Sequence, residues 1–276
     1  MFDTSRTARR VEGGGWSLSI AHALADLVLP GGCVACSAHG GALCRTCRMA
    51  LAGPAHLTRP VPAPEGLPIT WTTSAYEGAP RAAILAHKEH GRLALARPLG
   101  EALALAALAA LAADGSGSAD LAVVPMPSRA AARRARGHDP MRRIGGSAAQ
   151  VLRASRVVVD LLPVLRTTRR LADQAGLDSA ARAANLSGAL VVPDRFRRLV
   201  SGRRALIVDD VVTTGASLAE AARALLTADA DVIGAAVIAA TTRRGPPKHV
   251  HPALAGRQFR GSVSLWHPPG SVVASD

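Results

Sequence analysis

The sequence predicts an α/β fold, a mostly parallel sheet with helices on both faces, preceded by a small four-cysteine module. Three observations predict it. Short, almost wholly apolar runs at 121–124, 189–192, 205–208 and 232–240 have the composition of strands buried on both faces. Segments with helical apolar spacing separate several of them, and strand–helix alternation signals parallel pairing. All four cysteines stand in one short stretch, as Cys33-x-x-Cys36 and Cys44-x-x-Cys47.

The elements follow in order. Residues 1–15 lack an apolar period and read as a disordered N-terminus. Residues 16–53 hold a helical segment at 17–29 and the cysteine module. Residues 54–68 carry five prolines with 53 included and read as a linker. Residues 69–244 form the α/β domain. It starts with a strand at 69–76, a short helix at 81–88 and a longer one over 93–113. The strand at 121–124 stops at Pro125, and a basic segment, 129–143, leads into a helix from about 144 to 153. A strand at 157–165 is broken by Pro163. A helix at 178–185 and strands at 189–192, 205–208 and 232–240 complete the domain. Residues 245–276 lack a period and read as an irregular tail. There is no internal repeat.

Composition narrows the function. The 276 residues are 49% hydrophobic, ample for a core, but only 3% aromatic, so that core is built of Ala, Val and Leu. The net charge of +13 comes almost entirely from Arg, with Lys only at 88 and 248. A basic surface favours polyanions such as nucleotides or nucleic acid. The scarcity of aromatics leaves little for stacking single-stranded bases. Arg9-Arg10 is followed by Gly13, Gly14 and Gly15 and then by His22 and Asp26, a poor secretion signal. The Ala/Leu run at 99–113 contains Glu101 and is expected to be too short to span a membrane. The expected location is cytoplasmic, without membrane insertion.

The segment 204–217 reads Arg-Ala-Leu-Ile-Val-Asp-Asp-Val-Val-Thr-Thr-Gly-Ala-Ser and carries most of the chemistry. A strand at 205–208 is expected to end at Asp209 and Asp210. Thr213, Thr214, Gly215 and Ser217 form the following turn, and a helix begins with Leu218, Ala221, Ala222 and Leu225. Backbone N–H groups at such a turn and helix start converge on an anion, with hydroxyl donors beside them. Two carboxylates would repel a phosphate that they faced. They suit sugar hydroxyls or a hydrated Mg²⁺ instead. A phosphate at one end and a diol or metal at the other describe a ribose 5-phosphate. The plainer alternative is an ordinary strand–helix turn capped by Thr or Ser. Neither a Walker Gly-x-x-x-x-Gly-Lys loop nor a Gly-x-Gly-x-x-Gly turn is present.

Two Cys-x-x-Cys pairs seven residues apart fit one tetrahedral structural Zn²⁺ held by Cys33, Cys36, Cys44 and Cys47. Gly40 and Gly41 suit the tight loop between them. The alternatives are two disulfides, disfavoured in a reducing compartment, or four free thiols, disfavoured by the clustering.

The stretch 205–217 resembles the phosphoribosyl-diphosphate (PRPP) loop of the type I phosphoribosyltransferases. Beyond it, residues 27–242 resemble the ComF/GntX-like branch. The likeness rests on Leu29-Pro30 before Cys33, on Tyr76 and a helix ending at Lys88, and on Pro125-x-Pro127. It continues in Arg136-Gly137 and in Gln174, Arg182 and Asn185. The chain departs from the family at His138-Asp139-Pro140, where an aromatic and Asn-Gln are usual. The resemblance implies a type I phosphoribosyltransferase-like sheet with an N-terminal zinc module, binding PRPP with Mg²⁺. A nitrogen acceptor would displace diphosphate at C1. Thr213, Thr214, Gly215 and Ser217 would hold the 5-phosphate, and Asp209 and Asp210 the ribose hydroxyls and, indirectly, the metal. Ser128, Arg129, Lys88 and Arg136 would meet the diphosphate. Solvated surface charge is the alternative for each basic residue. A non-enzymatic PRPP- or nucleotide-sensing module is the competing reading. So is an accessory of DNA uptake with single-stranded DNA or uptake proteins as partners, since ComF-like proteins are associated with competence.

Overall fold

The structure is a computed structural model and describes residues 32–115, 120–128, 130–168 and 188–241. Its elements begin with α1 (Arg45–Leu51), β1 (His56–Thr58), β2 (Thr70–Ala75) and α2 (Gly78–Glu89). A 3₁₀ turn (Leu93–Leu95) leads into α3 (Ala96–Asp114), followed by β3 (Leu121–Pro125), α4 (Ala130–Arg136) and α5 (Pro140–Ala154). Then come β4 (Val159–Leu161), β5 (Arg166–Thr167), β6 (Leu190–Val191) and α6 (Asp194–Arg197). Last are β7 (Arg204–Val212), α7 (Ala216–Thr227) and β8 (Asp231–Ala240).

Six strands form one sheet in the order β1-β2-β8-β7-β3-β4. All neighbours are parallel except β1, which lies antiparallel on β2. The α/β class expected from the apolar runs is the class observed. Alternate strand residues feed two separate cores, as the pleat requires. Leu121, Val123, Leu206, Val208, Ala236 and Ile238 face α3 and α5. Ala122, Val124, Ala205, Ile207, Ala235 and Val237 face α7. The small alanines of α3, among them Ala102, Ala106 and Ala110, are fully or almost fully buried and let the helix sit close. At Gly100 the approach is closest. A Cβ there would lie 2.4 Å from the Ser147 Cβ and 2.9 Å from both the Ala148 nitrogen and the Ile144 oxygen of α5.

Several expectations are corrected. Residues 54–68 are not a bare linker: they contribute edge strand β1, and Leu67 is buried in the α7-side core. The helix expected from 144 starts at Pro140, because Asp139 caps it by accepting from the Arg142 N–H at 3.3 Å and Pro suits a first helical position. Residues 189–192 stay out of the main sheet. Leu190 and Val191 pair antiparallel with Arg166 and Thr167 in a two-stranded ribbon. Of the strand expected at 157–165, only Val159–Leu161 joins the sheet.

Among the described residues, one helical stretch, Leu93–Asp114, is long and apolar enough to cross a bilayer, contrary to the length argument. Half of it is buried inside the protein, its apolar side against the sheet and α5. Glu101 on its polar side pairs with Arg48 at 2.5 Å and Arg97 at 3.1 Å. The segments 1–15, 17–29, 178–185 and 245–276, together with Gln174, Arg182 and Asn185, lie outside the described residues.

Candidate functional site

The connections leaving β3 and β7 run in opposite directions. β3 is followed by α4 and α5 and then by its outer neighbour β4. β7 is followed by α7 on the other face and then by β8. A crevice opens at such a divergence, beyond the carboxyl ends of the two strands. Here unequal strand length deepens it. β3 ends at Pro125, opposite Val208, whereas β7 continues to Val212. Beyond Val208, β7 is paired on the β8 side only, Asp209 with Val237 and Val212 with Ala240. The Met126 N–H closes the last bond to the Val208 oxygen at 2.9 Å, and the β3 chain then turns away. The acidic pair therefore lies inside the strand and not after it, beside the place that β3 has vacated.

A cavity of about 490 Å³ fills that place. Its wall brings together Lys88, Ser128, Arg136, Asp209, Asp210, Thr213 and Ser217. These come from α2, the β3–α4 turn, α4, β7 and the start of α7. Ile84, Leu85, Met126, Pro140 and Met141 form its apolar side. Thr214 and Gly215 are not in the wall. Thr214 is exposed and its Oγ1 accepts weakly from the Ala216 N–H at 3.4 Å. Gly215 is needed for two local reasons. Its φ is +78°, and a Cβ would meet Leu67 Cδ1 at 2.9 Å. It caps α7 without any side-chain cap, so the first N–H groups of the helix face the turn that Thr213 and Ser217 flank. Arg129 lies outside the described residues.

The charges are arranged unevenly. Asp210 is almost buried, with 6% of its side chain exposed, and accepts from Lys88 Nζ at 2.7 Å. Burial opposes the Lys88 charge. Asp210, with Asp209 behind it, outweighs burial and holds the ammonium pKa above its usual value. Asp209 accepts from the Asp210 N–H at 2.9 Å. Burial, reinforced by the Asp210 charge, pushes its carboxyl up to about 8. Two adjacent carboxylates thus share one cation, and their mutual repulsion favours a proton on Asp209.

The His138-Asp139-Pro140 segment has a structural use. Asp139 accepts from the Ser128 hydroxyl at 3.2 Å while it caps α5. The His138 ring meets His87 of α2 edge-on, centroids 5.7 Å apart. This fixes the end of α4 against α2 and keeps Arg136 at the cavity mouth. There both Glu89 oxygens accept from Arg136 Nη2 at 2.9 Å. Glu89 and Asp139 were not anticipated from the sequence. Glu89 had one signal, its place beside Lys88 in the last helical turn. Asp139 had the capping signature Asp-Pro ahead of an apolar period.

The cysteines form a second constellation. The four Sγ atoms lie within 4.8 Å of one another, and Cys36 and Cys44 are 3.6 Å apart. Four thiolates on one Zn²⁺ would be about 3.8 Å apart, from a Zn–S bond of about 2.3 Å. The cluster therefore fits a single ion with no open position. Burial opposes ionisation of Cys33, yet N–H donors of Cys44, Ala35 and Cys36 outweigh it and lower the thiol to about 6. Burial and the neighbouring sulfurs drive Cys47 far the other way. Gly40 and Gly41 both take positive φ in the loop. The module is not a separate body: Cys33, Leu43, Cys47 and Leu51 belong to the core shared by α2 and α3. The Leu51 oxygen accepts from the Thr73 hydroxyl of β2 at 3.1 Å.

Comparison with curated proteins returns no match. Residues 148–257 match the family model of the phosphoribosyl transferase domain, a stretch that contains β7, its acidic pair and the Thr-Thr-Gly turn that follows it.

Proposed function

We propose that the chain binds PRPP with Mg²⁺ and transfers its phosphoribosyl group to a nitrogen acceptor, releasing diphosphate. The observation that carries this reading is the single cavity that unites a hydroxyl-flanked helix start, two acids and two cations. Thr213, Thr214, Gly215 and Ser217 are assigned to the 5-phosphate, through helix N–H groups and hydroxyls. Asp209 and Asp210 are assigned to the ribose hydroxyls. Ser128, Arg129, Lys88 and Arg136 are assigned to the diphosphate. The hard oxygen donors around the acidic pair suit Mg²⁺, which would reach the protein mainly through the ligand and would neutralise leaving-group charge. In the transfer, the C1–O bond to diphosphate breaks with both electrons leaving on oxygen. The acceptor nitrogen forms the new C1 bond and gives its proton to solvent. The protein's part is to align the two and to stabilise the departing anion. The four cysteines are assigned to one structural Zn²⁺. The test is calorimetric titration with PRPP and Mg²⁺, then an acceptor screen for diphosphate release. The Asp209→Asn, Asp210→Asn double variant should lose at least tenfold in PRPP affinity while remaining folded. Unchanged affinity would sink the assignment.

A second reading is non-enzymatic, a PRPP- or nucleotide-sensing module or an accessory of DNA uptake. One observation favours a polyanion partner. Phe196 carries the guanidinium of Arg166 at 5.0 Å and that of Arg195 at 4.7 Å. Burial, together with the charges of Arg195, Arg133 and Arg142, lowers the Arg166 pKa. A single-stranded oligonucleotide titrated at several salt concentrations tests it. A steep salt slope lost in Arg166→Ala would favour the DNA form of this reading, and no binding would remove that form.

A further inference from the structure

The last turn of α2 presents His87, Lys88 and Glu89 in succession, and the latter two cross the cavity in different directions. Lys88 reaches inward to Asp210 at 2.7 Å, and Glu89 reaches outward to Arg136 at 2.9 Å. Among the described residues that line the cavity, Lys88 and Arg136 are the cations, and each already holds a carboxylate. Among these described residues an incoming anion therefore meets no uncommitted cation. It has to take one from an acid.

The two pairs differ in what that exchange would cost. Asp210 is 6% exposed, and removing Lys88 from it would leave a buried carboxylate uncompensated. Glu89 is 43% exposed, so water can solvate it once Arg136 lets go. A pair this exposed is weakly held, because water competes for both partners. The Arg136 side chain, 21% exposed, lines the same cavity as Ser128. A diphosphate offers its guanidinium fork two or more charges and a bidentate geometry, against the single charge of Glu89.

We propose that Glu89 is a specificity-determining counter-anion: it occupies Arg136 until a diphosphate displaces it. This rests on the assignment of PRPP to the cavity. A ligand with only the 5-phosphate binds at the other end, leaves the Glu89–Arg136 pair intact and gains nothing from Arg136. A ligand carrying the 1-diphosphate takes Arg136 over, and Glu89 turns to solvent. Any anion too weakly charged to win the exchange is repelled by Glu89 instead.

The experiment measures affinities of inorganic pyrophosphate and of ribose 5-phosphate, each with Mg²⁺. The proteins are the full-length chain, Glu89→Gln, Glu89→Asp, Arg136→Ala and the Glu89→Gln, Arg136→Ala double variant. Glu89→Gln should bind pyrophosphate about fivefold more tightly, the worth of one half-exposed ion pair. Ribose 5-phosphate affinity should stay within about twofold, and Glu89→Asp, which keeps the charge, should stay near the wild type. The gain should vanish when Arg136 is absent. Weaker or unchanged pyrophosphate binding in Glu89→Gln overturns the proposal, because Glu89 would then position Arg136 or do nothing. A gain that persists without Arg136, or that appears equally for ribose 5-phosphate, also overturns it, since Glu89 would act as bulk charge. If the wild type binds ribose 5-phosphate but Glu89→Gln changes nothing, only the exchange fails. If the wild type binds neither ligand, the PRPP reading fails with it.

Discussion

Asp209 shows how a residue of the cavity wall can make stability depend on pH. Burial and the Asp210 charge hold its carboxyl at about 8, against 3.8 for an ordinary Asp. Between those values the folded chain keeps a proton that the unfolded chain has lost. Asp209 thus favours the folded state fully below about pH 4, and that contribution fades as pH rises through 8. Asn at this position keeps the oxygen that accepts from the Asp210 N–H, and it never ionises. Asp209→Asn is therefore expected to flatten the fall in melting temperature between pH 6 and 9. It should melt several degrees above the wild type at pH 9, a shift typical of ~1–2 kcal/mol in a chain of this size. Parallel melting curves for the two proteins across that range would show that Asp209 is solvated and ordinary. Gly215 makes the complementary point. Its positive φ and its contact with Leu67 are demands of the turn, so Gly215→Ala strains the start of α7 whatever the ligand does.

At the scale of elements, the cavity wall depends on how the helices around it are packed. α5 holds Met141 in the cavity wall and is locked to α3 at Gly100, where the would-be neighbours include backbone atoms that cannot turn aside. Gly100→Ala is expected to destabilise the protein by about 2 kcal/mol through overpacking, although Ala is the better helix former. Chemical denaturation checks this, and a neutral or stabilising result would mean that the helices separate easily. Glu220 of α7 does similar work on the far side. It is buried, accepts from the Leu190 N–H at 2.9 Å and pairs with Arg223 at 2.7 Å, which ties the β5–β6 ribbon to the helix. Burial alone would raise its pKa, but Arg223 and that N–H outweigh it and lower the carboxyl below its usual value.

Across the whole molecule, the cysteine module and the cavity are joined through one core. Reading the module as separate predicts that chelation loosens it and leaves the sheet domain untouched. The shared burial of Cys47, Leu51, Ile84 and Leu99 argues for a different outcome. α1 and α2 pack into the same cluster, and α2 carries Lys88 and Glu89. Removing a bound metal is expected to raise amide exchange in α2 as well as in residues 32–51, and to lower the melting temperature of the whole domain. Hydrogen exchange before and after chelation measures this. Protection of 78–89 that does not change would restore the independent module.

Much of this was legible in the sequence because it is written in local pattern. The apolar runs at 121–124, 205–208 and 232–240 gave the central strands, since a strand buried on both faces leaves no polar alternation to misread. The Asp-Asp and Thr-Thr-Gly order gave the turn between β7 and α7, because strand, turn and helix start are contiguous in the chain. The paired Cys-x-x-Cys gave a closed cluster for the same reason. What the chain could not express locally was decided by tertiary structure. That β3 stops at Pro125 while β7 runs on to Val212 depends on pairing between segments far apart in sequence. This mismatch places Asp209 and Asp210 within a strand yet open to a cavity. Glu89 reads as a surface acid until Arg136, 47 residues later, is brought against it. The Pro-rich stretch read as a linker because composition reports turns, and only the exposed edge of β2 turns His56–Thr58 into a strand. Contiguous chemistry is set by sequence. Its depth, its partners and its charge state are set by what the fold packs beside it, since burial and pairing are properties of neighbours in space.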